Sequence, residues 1–82
     1  MKCLLLGTSG CHLCEQAETI IDGVVVTETS LDIERIDIAE HTDWQVDYAV
    51  RIPVLLHEDT MQALDWPFTE TDVFHFISNL KS

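Results

Sequence analysis

Eighty-two residues with 15 acidic and 4 basic side chains carry a formal charge of −11, which repels phosphate backbones and anionic bilayers. Nucleic acid and membranes are therefore not expected partners, and at this length one core and a single domain spanning residues 1–82 are expected. Apolar residues make up 46% of the chain in short runs along its whole length, which excludes a disordered tail.

Lys2 to Gly7 is a short apolar run closed by Gly7, Thr8, Ser9 and Gly10, the pattern of a buried strand entering a loop. Cys3 lies inside that run and is expected to be a buried, inert thiol. The run Leu4 to Leu6 is shorter than the roughly 7 to 15 apolar residues of a secretion signal. The expected location is thus the cytoplasm, where a CxxC pair is more often redox-active or metal-binding than structural.

From Leu13 the apolar positions Ala17, Ile20, Ile21 and Val24 follow one helical face, which puts Cys11 and Cys14 on the first turn of a helix. Leu31, Ile33, Ile36 and Ile38 alternate with polar residues and predict a second strand. Thr42 and Gln45 have capping-box spacing ahead of a short helix over Trp44 to Val50, which must stop near Arg51 because Pro53 follows. Pro53 to His57 and Met61 to Trp66 predict two strands joined by a turn at Glu58 to Thr60. Thr69 and Asp72 cap a last helix with an apolar stripe of Val73, Phe76, Ile77 and Leu80. Trp44, Tyr48, Trp66 and Phe68 are expected to be core residues, the alternative being an apolar surface beside the cysteines for a protein partner. The order strand, helix, strand, helix, strand, strand, helix specifies an α/β fold with a mixed sheet covered by helices.

The CxxC spacing on a first helical turn lets two sulfurs approach within bonding distance. The unpaired amides and positive dipole end of the helix favour a thiolate there, whereas Glu15 and Glu18, at helical neighbour spacing, oppose it. Cys11 is the expected nucleophile and Cys14 the resolving thiol. His12, between them, is either a proton-dependent support for the thiolate or an exposed polar residue.

The run from Gly7 to Cys14 after the first strand, with Ile52, Pro53 and Val54 about forty residues later, resembles the thioredoxin superfamily, specifically small glutaredoxin-like proteins. The resemblance covers nearly the whole chain. It implies a thioredoxin-like fold of minimal glutaredoxin type, βαβαββα, with a four-stranded mixed sheet and three flanking helices, and a thiol-disulfide oxidoreductase activity. It also implies that Ile52-Pro53 is a cis peptide bond beside the cysteines. Ile52 and Pro53, with His12 and Leu13, would then contact the substrate, an extended peptide pairing with the Ile52 backbone as an added strand. The departures are Cys-His-Leu-Cys where glutaredoxins commonly have Cys-Pro-Tyr-Cys, Thr8 in place of a lysine, and Trp66-Pro67-Phe68 in place of a glycine pair.

No resident cofactor and no metal are expected. Glutathione, considered as a co-substrate, brings two carboxylates to a site short of cations and rich in glutamate. Expected partners are a protein disulfide or a small thiol, with the chain monomeric. The competing readings are a non-catalytic adaptor of the same fold and a metal-binding module using the CxxC pair with Cys3, His12, His41, His57 or His75.

Overall fold

A computed structural model describes residues 1–40 and 51–81. Among these, strands β1 (Lys2–Gly7), β2 (Asp32–Asp37), β3 (Val54–His57) and β4 (Gln62–Asp65) form one sheet, with helices α1 (His12–Thr27) and α2 (Glu70–Lys81). The spatial order is β2-β1-β3-β4. β1 pairs parallel with β2, Lys2 opposite Asp32 and Gly7 opposite Asp37. It pairs antiparallel with β3, Leu4 opposite Leu56 and Leu6 opposite Val54, and β3 continues antiparallel to β4. The parallel pair needs a long crossover, which α1 supplies.

Alternation along β1 divides the core between the two faces of the sheet. Cys3 and Leu5 join Leu55 under Ala17, Ile21 and Val24 of α1 and Val73 and Ile77 of α2. Leu4 and Leu6 pack with Val54, Leu56 and Ile38 on the opposite face. Both faces of β1 and β3 are therefore buried, which explains why these strands read as continuous apolar runs while β2, at the sheet edge, keeps Asp32, Glu34 and Arg35 exposed and Asp37 half-buried.

The helix ends follow local chemistry. At α2 the Thr69 amide donates to the Asp72 carboxylate at 2.9 Å and the Asp72 amide donates to the Thr69 hydroxyl at 3.2 Å, the reciprocal pair that the sequence spacing predicts. Phe68 is buried and meets Trp66 edge to face, with centroids 5.0 Å apart. The last three strands are each shorter than the sequence reading: Asp32–Asp37 within Leu31–Ile38, Val54–His57 within Pro53–His57 and Gln62–Asp65 within Met61–Trp66. The second strand stops at Asp37 rather than reaching Ile38, because the Asp37 carboxylate accepts the Ala39 amide at 2.9 Å and turns the chain into a 3₁₀ segment, Ile38–Glu40. The fourth begins at Gln62, since Met61 adopts a left-handed φ of 59° and belongs to the turn. The expected helix over Trp44 to Val50, together with Trp44 and Tyr48, lies outside the described residues.

Candidate redox site at the head of helix α1

β1 runs out of the sheet at Gly7, and Thr8 to Gly10 carry the chain to α1. Gly10 takes φ +77°, a conformation that costs glycine nothing and strains other residues. Gly7 answers a different need: a Cβ there would sit 3.2 Å from the Cys14 sulfur. The bare glycine makes room for Cys14 against the end of the strand.

Cys11 is the N-cap of α1, in extended conformation, and its sulfur accepts the Cys14 amide at 3.2 Å. A sulfur thus occupies the place usually held by a capping oxygen, with the helix N-terminus directed at it. Cys11 is partly exposed and Cys14 is buried, and both are free thiols, as is Cys3. Burial pushes the Cys14 thiol up to about 11, the Cys11 side chain and Glu18 add to the rise, and a Thr8 backbone hydrogen bond opposes it. Cys3 is fully buried and burial likewise raises it to about 11, so it remains a thiol, as its place in the apolar run predicts.

The other candidate residues fall around this centre. His12 is almost wholly exposed, with Nδ1 3.7 Å from the Glu15 carboxylate. Leu13 stands on the first turn, 46% exposed, while Cys14, Ala17, Ile21 and Val24 turn inward. The Ile52-Pro53 peptide is cis, as is Trp66-Pro67. Pro53 is fully buried and Ile52 packs with the cluster around Leu6. Because Val54 lies opposite Leu6, Pro53 enters β3 at the same end of the sheet where Gly7 leaves β1. Among the described residues no three of His, Cys, Asp or Glu come together as a metal-ligand set.

One feature of this end of the molecule escaped the sequence reading. A cavity of about 380 Å³ opens between the β1–α1 loop, the first turns of α1 and the end of β2, with Thr8, Gly10, Cys14, Glu18, Arg35 and Asp37 among its walls. The usable signal was topological: ligand crevices form beyond the carboxyl ends of parallel strands, and β1 and β2 are the parallel pair.

The family model for the glutaredoxin-like domain (DUF836) matches residues 2–78. The chain belongs to that glutaredoxin-like family. Its fold is shared by the X-ray structure of the target protein XcR50 from X. campestris, at 23% identity and a TM-score of 0.74, covering 94% of this chain and 96% of that one. A second solved structure, of a malarial protein, matches at 18% identity and a TM-score of 0.73, covering 95% of this chain and 93% of the other. The comparison with curated proteins gives no match. This glutaredoxin-like domain is an α/β protein of thioredoxin type, and no helix among its described residues is long and apolar enough to cross a membrane.

Proposed function

We propose that this glutaredoxin-like chain is a thiol-disulfide oxidoreductase working through Cys11 and Cys14. The observation that carries the reading is the asymmetry of the pair: one sulfur accessible at the helix N-cap, receiving the amide of the other cysteine, and the second buried one turn behind it. The Cys11 thiolate attacks one sulfur of a substrate disulfide, forming a mixed disulfide and releasing the first thiolate, which takes up a proton. Cys14 then loses its proton and attacks the Cys11 sulfur, releasing the second thiol. Two electrons pass to the substrate, and the protein retains a Cys11–Cys14 disulfide.

Burial fits Cys14 to the second role, since a thiol that holds its proton does not compete for the first attack. Ile52 and Pro53 would hold an extended substrate beside Cys11, with His12 and Leu13 completing the contact surface. The exchange requires no bound cofactor, its partners are disulfide-bearing proteins or small thiols, and a monomer in the reducing cytoplasm suits it. Equilibration against graded glutathione buffers, with thiols counted by mass spectrometry, tests the proposal. A two-electron transition between about −270 and −200 mV, linking Cys11 to Cys14 and leaving Cys3 reduced, supports it. Failure to form that disulfide at any potential overturns it.

A further inference from the structure

The cavity beside Cys14 is walled by Glu15, Glu18 and Asp37, and the one cation on its walls among the described residues, Arg35, is already engaged. Its Nη2 lies 3.1 Å from the Asp22 carboxylate and its Nε 3.5 Å from Glu18. The Asp37 carboxylate on the same wall accepts the Ala39 amide at 2.9 Å. The cavity lies beyond the carboxyl ends of the parallel strands and shares a wall with a sulfur of the redox pair. Cys11 itself is not on these walls, but its sulfur accepts the Cys14 amide at 3.2 Å, so an arm carried by a substrate joined to Cys11 starts beside Cys14 and the polar Thr8–Gly10 loop, next to the carboxylates.

We infer that this cavity selects disulfides bearing a cationic arm, an ammonium or guanidinium group, over anionic ones such as glutathione disulfide. The inference rests on the oxidoreductase reading and specifies its substrate class. Carboxylates around a recessed site raise the local concentration of cations and repel anions, and the effect falls steeply with salt.

Three small disulfides separate charge from size: cystamine (cationic), 2-hydroxyethyl disulfide (neutral) and 3,3′-dithiodipropionate (anionic). Each oxidises the pre-reduced protein in a single turnover, Cys11 and Cys14 supplying the two electrons. Dividing each rate by that of dithiothreitol, whose attacking thiolate has no carboxylates around it, with the same disulfide removes intrinsic reactivity. At low salt, cystamine is expected to be about tenfold faster than the anionic disulfide on this scale, the gap closing toward unity by roughly 0.5 M salt. Glu18→Gln and Asp37→Asn each lower the ratio by about threefold. Asparagine at position 37 keeps an oxygen for the Ala39 amide. Asp59→Asn removes the same charge from the exposed turn after β3, at the opposite end of the sheet, and leaves the ratio unchanged.

Equal normalised rates for the three disulfides overturn the inference while leaving the oxidoreductase reading intact. A cationic preference that Asp59→Asn lowers as much as Glu18→Gln does belongs to the net charge of −11 and also overturns it. If none of the three oxidises the pair, the oxidoreductase reading falls as well.

Discussion

Replacing Cys11 by alanine isolates the claim that burial, more than its partner thiol, keeps Cys14 protonated. Burial is the largest cause of the rise from an ordinary 9.0 to about 11, ahead of the hydrogen bond and charge of Cys11. At about pH 8 a thiol of pKa 9 is roughly one-tenth thiolate and one of pKa 11 roughly one-thousandth, so Cys14 is expected to alkylate about a hundredfold more slowly than an open cysteine. Its 7% exposure slows the reagent further. In Cys11→Ala the hydrogen bond and coupling vanish but burial stays, so Cys14 remains at least about tenfold slower than in the urea-unfolded chain. The assay is limited iodoacetamide labelling followed by peptide mass spectrometry, in the native and unfolded protein. In the unsubstituted chain Cys11 is labelled first and Cys3 and Cys14 lag. If Cys14 in native Cys11→Ala reacts at the unfolded rate, burial does not control this thiol and the assignment of roles loses its physical basis.

Three further outcomes follow from the packing and charge around the site. Gly7→Ala presses a methyl to within 3.2 Å of the Cys14 sulfur and should lower stability by about 1 kcal/mol in urea unfolding and shift the redox midpoint of the pair. An unchanged midpoint would show that the sulfur yields freely. Gly23→Ala should act oppositely: its Cβ meets Glu70 Oε1 at 2.5 Å, the tip of a flexible side chain, so Glu70 swings aside and α1 gains about 0.5–1 kcal/mol of thermal stability. A loss instead would mean that Glu70 is held in place. Cys3 binds its proton more tightly folded, at about 11, than at its ordinary 9.0. That contribution is complete below pH 9 and disappears as pH rises through 11, with a slope of at most about 1.4 kcal/mol per pH unit. Cys3→Ala should flatten the alkaline fall in urea-unfolding free energy relative to the parent chain, and parallel curves would contradict the buried-thiol account.

What the sequence determined by itself was local. Leu4 to Leu6 and Val54 to Leu56 read as buried strands because apolar runs bounded by turn residues have few other solutions. Thr69 and Asp72 announced a helix start because a capping box closes within one turn. The spacing of Cys11 and Cys14 placed both at the head of α1 for the same reason, their relation being set within three residues. Boundaries governed by a single hydrogen bond or a single φ were not legible: Asp37 turning onto Ala39, and Met61 in the left-handed region, override an otherwise continuous alternation.

The tertiary structure alone decided the chemistry around the thiols. Nothing in the residues near Cys14 announces that its sulfur packs against Gly7, or that burial carries it to about 11. Nor does position in the chain connect Glu18 with Arg35 and Asp37. Those residues meet because β2 pairs parallel with β1 across a helical crossover, which brings the end of the second strand beside the start of the first helix. Desolvation and charge juxtaposition depend on distance in space, and across a crossover that distance is set by sheet register rather than by sequence separation.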